Sequence, residues 1–402
     1  MINVPTTYPP KSVGEFLIAG PPDGANTNYA YPPSLESRLD SEFDYQVRKT
    51  RHLKSGDDAA FEEVLQLIDL RFRVAKQLAD EYDLDFLQVT TFYLNSLHHH
   101  LWDGTYVKQA WKVVDYHLSE FLDGGDNLVL MSDHGHCEIE TVWYLNNWLA
   151  REGYLQYDSD VTDSLHTLGI NSDRLKRLVS RANSQLSGVD LEARVSELAP
   201  EWLLNRLPNE EGELGGSKFD IVDWEGTDAI ASAQGPVYLT ADPDSDRYER
   251  IRAELIDRFK TLEGPDGRPL ARAVAPKEAV YEGPYLDDAP DIVIDKAPHV
   301  NIRENLGGDR TFATSDDSWN GVNRREGLFA AVGPAFGEGS VEGLSILDLA
   351  PTLLHLHGQA IPDDMDGEVR TEVFAADSTP ATARPTYRSA ATPRAGRPTP
   401  QD

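Results

Sequence analysis

The chain has 402 residues, of which 40% are hydrophobic. This length suffices for one large α/β domain or two smaller ones, and this apolar content excludes wholesale disorder. The formal net charge is −31, from 68 acidic and 37 basic residues. Such a surface repels phosphate backbones and anionic lipids, which argues against general nucleic-acid or membrane binding.

The acidic surface is best interpreted as a solvation feature. Acidic, lysine-poor proteins are typical of halophilic cells with a high-salt cytoplasm, where ions screen the self-repulsion of the chain. A specific role for the acidic surface in binding a partner is the less favoured alternative.

Cysteine content and hydropathy bear on the compartment. The single cysteine, Cys137, excludes an intrachain disulfide and fits a reducing compartment. No apolar run approaches the ~20 residues that a membrane helix needs. Residues 1–20 lack a basic region followed by an apolar one, so no signal peptide is expected. We therefore expect a cytoplasmic protein without a membrane segment.

In chain order, the hydrophobic pattern predicts an alternation of short strands and helices. The expected strands are residues 1–5, 15–19, 86–91, 127–131, 237–240, 291–294 and 328–332. The expected helices are residues 57–80, 106–122, 140–152, 245–262 and 346–356. This alternation predicts an α/β fold with a mostly parallel central sheet flanked by helices.

Two segments depart from this alternation. Residues 155–225 are polar and rich in Arg, Ser and Leu, which predicts a helical insertion where substrate specificity would reside. Residues 371–402 contain mainly Pro, Thr, Ala and Arg, which predicts a disordered tail. Residues 1–370 are then expected to form one α/β domain.

The strongest local signal is SDHGH at residues 132–136, directly after the apolar run NLVLM. Ligands of open α/β sheets gather where strands end, so Asp133 and His134 lie where a site is expected. A carboxylate beside an imidazole suits Zn²⁺ or Mn²⁺, and Gly135 allows close backbone approach. An Asp that caps the following helix is an equally weighted alternative for this dipeptide.

A second polar segment, NSLHHH, follows the predicted strand at residues 86–91. On a helix, Asn95 and His99 would lie one turn apart on the same face. Three adjacent histidines cannot all face one ion, so a solvated histidine cluster is the favoured interpretation of this segment alone.

Two further segments carry cations or imidazoles. NGVNRREGLFAAV, from Asn320, leads into an apolar strand, and its Arg324 or Arg325 could hold a phosphate in a bidentate contact. Surface placement is the alternative for this pair. His355 and His357 lie on a predicted helix, where packing or surface roles are favoured over metal binding.

Taken in order, these segments resemble the type I phosphodiesterase/nucleotide pyrophosphatase family of the alkaline phosphatase superfamily. The resemblance rests on SDHG after an apolar strand, on Asp223–Trp224, on YEGPYLDDAPDIVI at 281–294 and on SILDLAPTLLHLHG with IPDDMDGEV at 345–369. It spans residues 1–370 and implies an alkaline phosphatase-like fold.

The resemblance also implies a two-metal hydrolase of phosphodiester or pyrophosphate bonds, with a Thr or Ser nucleophile. Asp133 and His134 match ligands of one Zn or Mn ion, and His99 matches a ligand of the other. Asn95 and Asn323 occupy positions where the family has an Asp and a His, so the second ion should bind weakly. Arg324 is the expected phosphate contact.

The resemblance further predicts that the segment with the nucleophile is missing, because Thr6, Thr7 and Ser12 lack the expected context. Three hypotheses follow: an enzyme with a truncated start, a non-catalytic relative that binds a ligand or partner, and one half of a two-chain hydrolase. A sulfatase-like reaction would need a modified Cys or Ser, and Cys137 has no context for that role.

Overall fold

The structure is a computed structural model that describes residues 1–21, 24–53, 57–122, 125–158, 221–314 and 319–389. These residues form two compact units. Unit 1 comprises Met1–His136 and Asn323–Asp402, and unit 2 is Cys137–Val322. The expectation of one α/β domain over residues 1–370 stays a prediction.

The described elements of unit 1 before the chain enters unit 2 are three short strands, four helices and one further strand. They are β1 (Ile2–Val4), β2 (Leu17–Ala19), β3 (Ala30–Tyr31), α1 (Pro33–Phe43), α2 (Asp58–Glu81), α3 (Phe92–Leu101), α4 (Thr105–Leu122) and β4 (Leu128–Met131). Strand β5 (Gly135–Glu138) then carries the chain from unit 1 into unit 2.

The described elements of unit 2 are both strands and helices. They are β6 (Thr141–Tyr144), α5 (Leu145–Arg151), β7 (Ala229–Ala231), β8 (Pro236–Leu239), α6 (Asp246–Thr261), β9 (Ala271–Pro276), β10 (Ile292–Lys296), β11 (Val300–Arg303) and β12 (Phe312–Ala313). Strand β13 (Gly321–Arg324) pairs with β5 and returns the chain to unit 1.

The remaining elements of unit 1 follow β13. They are β14 (Phe329–Val332), α7 (Leu349–Leu356), β15 (Ile361–Pro362), α8 (Thr379–Thr382) and β16 (Tyr387–Arg388), with 3-10 turns at Ile346–Asp348 and Thr371–Val373.

The core of unit 1 is built by helix α2 against α3, α4 and the small sheet of β1, β2 and β3. Its apolar residues recur every three or four positions, which gives α2 one buried face. Asp57 begins α2 by accepting the N–H of Ala60 at 3.2 Å. The core side chains with almost no exposure include Phe61, Val64, Ile68, Leu78 and Leu97.

The segment at residues 345–370 folds around one buried carboxylate. Asp348 accepts the N–H groups of Ser345 at 3.0 Å and of Glu368 at 2.9 Å, and it pairs with Arg370 at 3.0 Å. A Cβ at Gly367 would lie 2.0 Å from the carbonyl oxygen of Leu347. Asp348, Gly367 and Arg370 therefore have a structural role.

Two sheets lie wholly within the described residues of unit 2. The larger has the order β7-β8-β10-β9 and all its pairings are antiparallel. The smaller has the order β11-β6-β12, in which β11 and β6 are parallel. Trp143 on β6 is fully buried and packs edge-on against Trp148 and Phe259.

The fold is mixed α and β, as expected, but a mostly parallel central sheet is not confirmed. Among the described residues the sheets have two to four strands, and the largest is antiparallel. The apolar run at 128–131 does form strand β4, which pairs antiparallel with β14.

Two predicted elements are wrong. Residues 86–91 form no strand: only Val89 makes a bridge, to Ile2, and Phe86 is 46% exposed. The helix expected at 140–152 begins instead with strand β6, because the β-branched and aromatic residues Thr141–Tyr144 pair with β11 and β12.

The predicted insertion and tail are described only in part. Residues 159–220 and 390–402 lie outside the described residues. Residues 371–389, expected to be disordered, contain α8 and β16, and β16 pairs with β15. Among the described residues, no helix combines the length and hydropathy of a bilayer span.

Candidate functional site

The loop after β4 is fixed to the start of β14 by Ser132. Its hydroxyl accepts the N–H of Leu328 at 2.8 Å, and its own N–H donates to the Leu328 carbonyl at 3.0 Å. These two hydrogen bonds attach both the side chain and the main chain of Ser132 to Leu328. The next two side chains, Asp133 and His134, therefore start from a constrained backbone.

The ring of His134 has a defined orientation. Its Nδ1 lies 3.1 Å from the carbonyl oxygen of Gly135. Because a carbonyl only accepts, Nδ1 carries the proton, and the Nε2 of a neutral ring holds the lone pair. A hydrogen bond from the far ring nitrogen to a carbonyl is the usual way in which a metal-binding imidazole is oriented.

Asp133 and His134 place a carboxylate oxygen and an imidazole nitrogen side by side. Oδ2 of Asp133 lies 3.6 Å from Nε2 of His134. Two ligands at about 2.1 Å from one tetrahedral ion are about 3.4 Å apart, so this spacing suits a shared ion. The Asp133 side chain is 75% exposed, and an incoming ion can reach it from solvent.

Gly135 permits a close backbone approach that any side chain would prevent. A Cβ at this position would lie 2.0 Å from the carbonyl oxygen of Glu326. The expectation that this glycine serves close packing is confirmed.

Sequence reasoning missed the residue at the centre of the site, His136. Its ring stacks on His98 with centroids 5.0 Å apart, meets His99 edge-on at 4.8 Å and is tilted against His134 at 5.1 Å. The four rings form a histidine cluster that joins α3 to the loop after β4. The sequence does contain a signal for this residue. His134 and His136 are two positions apart, and on a strand two such side chains point to the same face.

His98 lies on the outer side of this cluster. Trp111 donates its indole N–H to Nε2 of His98 at 3.3 Å. Burial lowers the pKa of His98, so its ring is neutral near pH 7. The cluster therefore contains at least one neutral ring whose Nε2 already accepts a hydrogen bond.

Helix α3 brings Asn95 and His99 together on one face, as their spacing predicted. His99 is 8% exposed. The Oδ1 atom of Asn95 is buried and accepts no hydrogen bond from the described residues. Such an atom is an acceptor with both lone pairs available to an ion, a water or a donor group.

Strand β13 carries Asn323 and Arg324 next to the histidine cluster. The N–H of Ile139 donates to the carbonyl oxygen of Asn320, and Gly135 lies opposite Arg324. In this register Asn323 lies opposite His136. Arg324 is 44% exposed, and its Nε pairs with Glu326 at 3.2 Å. One carboxylate thus already contacts the guanidinium that was expected to bind phosphate.

The donor set fits a metal ion only in part. Asp133 and His134 supply two adjacent ligands, but within the described ranges no group of three or more His, Cys, Asp or Glu side chains is arranged to hold an ion. Asn95, near His99, offers a neutral amide oxygen where a carboxylate would bind an ion more strongly.

The hydroxyls near the start of the chain are engaged locally. Thr6 Oγ1 donates to the Pro5 carbonyl and Thr7 Oγ1 to that of Val4, each at 2.7 Å. Both of these contacts are to main-chain carbonyls.

Comparison with known families decides the ancestry of the chain. The sequence model of the type I phosphodiesterase/nucleotide pyrophosphatase family matches residues 1–322. The chain belongs to this family. The match includes SDHGH and YEGPYLDDAPDIVI, and it ends before the 345–369 segment on which part of the resemblance rested.

Other comparisons of this phosphodiesterase-family chain yield little. No curated protein matches it significantly. A solved structure with partial similarity is phosphonoacetate hydrolase from Sinorhizobium meliloti 1021 in complex with phosphonoformate, with 14% identity and a TM-score of 0.35. The alignment covers 68% of this chain and 51% of the hydrolase, so the chain spans about half of that protein. A likeness of this size carries no inference about activity, and the comparisons give no support for a partner chain.

Proposed function

We propose that this family member binds a divalent metal ion, Zn²⁺ or Mn²⁺, through Asp133 and His134 and hydrolyses a phosphodiester or pyrophosphate bond beside it. The observation that carries the proposal is the 3.6 Å separation of Asp133 Oδ2 and His134 Nε2, with the far nitrogen of His134 held by Gly135. Membership of the family supports the bond type.

Each protein group has a defined task in this proposal. The bound ion would act as a Lewis acid toward a phosphoryl oxygen. Asp133 and His134 hold and orient the ion, and the Ser132 contacts to Leu328 keep both ligands on a fixed loop. Arg324 binds a non-bridging phosphoryl oxygen through the guanidinium nitrogens that Glu326 does not contact.

The two asparagines set the expected metal affinity. Asn95 and Asn323 offer neutral oxygens, which bind a transition ion far more weakly than a carboxylate or an imidazole does. We therefore propose one well-held ion at Asp133 and His134, and a weak second ion near His99. The proposal does not assign the nucleophile that attacks phosphorus to any of these residues.

Turnover of bis-p-nitrophenyl phosphate tests the proposal. We expect hydrolysis that requires added Zn²⁺ or Mn²⁺, that Asp133→Ala abolishes and that Arg324→Ala weakens mainly through a higher KM. Asp115→Ala, which removes an exposed carboxylate from α4, is the matched control and should leave turnover unchanged. Metal-independent turnover, or full activity of Asp133→Ala, would contradict the proposal.

A non-catalytic relative is the second candidate. It is favoured by Asn95 and Asn323 at positions where the family has stronger ligands, and by the lack of a third ligand in the described part of the chain. Equilibrium dialysis with the same phosphodiester distinguishes the two, because this candidate predicts metal-dependent binding without p-nitrophenol release.

A further inference from the structure

A buried arginine lies in the core of unit 1, outside the candidate site. Arg71 is on α2 and is 1% exposed. Its Nη2 donates to the carbonyl oxygens of Gln46 and Val47, the latter at 3.1 Å. Its guanidinium carbon lies 4.5 Å from the centroid of the Tyr45 ring. These contacts use one of its three nitrogens and one π face.

The other donors of this group have no acceptor. Nε and Nη1 of Arg71 are buried and form no hydrogen bond with the described residues, and neither does the hydroxyl of Tyr45. The guanidinium therefore has three unfilled N–H groups, and the phenol adds one O–H. A buried donor without an acceptor is costly, so four together require an acceptor that the described side chains do not supply.

The charge of Arg71 is also uncompensated. A guanidinium stays protonated throughout the pH range in which proteins fold, and no carboxylate of the described residues pairs with it. The nearby carboxylates have other partners: Glu63 accepts from Thr50 and Arg51, and Asp69 binds Arg73 and His117.

Tyr45 cannot supply the missing negative charge. Burial raises the pKa of its phenol, and the neighbouring Arg71 opposes this only in part. Tyr45 therefore remains a neutral donor. A water molecule could accept some of these hydrogen bonds, but it would leave the buried cation without a counter-charge.

We propose that Arg71 and Tyr45 form a buried binding site for a small monovalent anion of the chloride class. The anion accepts from Nε and Nη1 of Arg71 and from the Tyr45 hydroxyl, and it neutralises the guanidinium. It thereby connects α2 to the segment around Tyr45–Val47.

Crystals of the wild-type chain grown in sodium bromide test the site directly, because bromide replaces chloride and scatters anomalously. We expect a bromine peak in hydrogen-bonding contact with Nε or Nη1 of Arg71. A water molecule there, or an empty space with no anomalous signal, would overturn the proposal.

Thermal unfolding tests whether the anion binds in solution. Wild-type chain is compared in sodium chloride and in sodium gluconate at equal ionic strength, since gluconate is too large for the site. Chloride should lower the unfolding equilibrium constant by a factor of 1 + [Cl⁻]/Kd, about tenfold at nine times Kd, beyond the effect of gluconate. Equal stabilisation by both salts would overturn the proposal, even with a bromide peak, because binding would then occur at crystal concentration only.

Three variants localise the effect. Arg71→Met should abolish the chloride-specific stabilisation, and Arg73→Met, an exposed arginine on the same helix, should retain it. Tyr45→Phe removes one donor and keeps the ring under the guanidinium, so it should fold and raise the Kd several-fold. An unchanged Kd in Tyr45→Phe, or a chloride effect that survives in folded Arg71→Met, would contradict the assigned site.

Discussion

At the scale of single residues, the proposed site depends on backbone positions that few side chains can occupy. Gly135 lies between His134 and His136, and its α-carbon faces the carbonyl of Glu326 too closely for a Cβ. The same glycine carbonyl accepts the Nδ1–H of His134. One residue thus sets both the loop conformation and the tautomer of the proposed ligand.

Gly135→Ala is predicted to weaken metal binding more than tenfold. The new Cβ must displace Glu326 or the loop, which also costs about 1–3 kcal/mol of stability. Isothermal titration with Zn²⁺ and thermal unfolding measure the two effects. Gly264→Ala is the matched control, because its nearest contacts are ends of side chains at 3.1 and 3.2 Å. Wild-type affinity in Gly135→Ala would show that the close approach is unimportant.

The sequence predicted part of this site. Asp133 and His134 are adjacent in the chain and follow a strand, so local pattern suffices to find them. The centre of the cluster could not be found in this way, because His98 and His136 meet only after α3 packs beside β5. Contacts between residues that are distant in the chain depend on packing, which periodicity does not report.

At the scale of elements, the buried Asp348 holds the segment before α7 to the loop after β15. Burial raises the pKa of this carboxyl, but the N–H groups of Glu368 and Ser345 and the Arg370 guanidinium outweigh burial and lower the pKa overall. The folded-state pKa therefore lies below the ordinary value of 3.8 for an aspartate. The stabilisation is complete above that value and is lost as the pH falls through the folded pKa.

Asp348→Asn is predicted to destabilise the chain at pH 7 by about 1–3 kcal/mol, because two N–H groups and Arg370 lose an anionic acceptor while Arg370 keeps its pair with Glu372. The difference from wild type should shrink as the pH falls below 4. Urea unfolding at pH 7 and at pH 3.5 measures both effects. Asp80→Asn is the control, since Asp80 forms an exposed pair with Lys76 on α2. A pH-independent difference would contradict the assigned role of the charge.

Element types were predictable where the pattern was long and amphipathic. Helix α2 and helix α4 lie within one residue of their expected bounds. Short apolar runs were less informative: 86–91 is β-rich but finds only one bridge, and 141–144 becomes a strand because β11 and β12 lie beside it. Strand formation depends on a partner that the local sequence does not specify.

At the scale of the whole molecule, the sequence predicted one domain and the structure divides the described residues into two units. Unit 2 is an uninterrupted stretch of chain between β5 and β13. Hydrophobic periodicity does not mark this division, because it falls within strands β5 and β13 and not in a linker. The mixed α and β composition was predictable, whereas strand direction was not.

The net charge of −31 predicts salt-dependent stability. Raising sodium gluconate from 0.1 to 1 M shortens the Debye length from about 10 Å to about 3 Å and should raise the Tm by screening self-repulsion. Differential scanning calorimetry measures this shift. A Tm that stays constant or falls would show that the acidic residues do not repel one another appreciably in the folded chain.

Metal content of the purified chain tests the central claim most directly. Wild type, Asp133→Ala, His134→Ala and the control His357→Gln, an exposed histidine beyond the site, are dialysed against Zn²⁺ or Mn²⁺ and measured by atomic emission. We predict about one ion per wild-type and His357→Gln chain and a large loss in the other two variants. Equal metal content in all four proteins, or none in wild type, would contradict a metal site at Asp133 and His134.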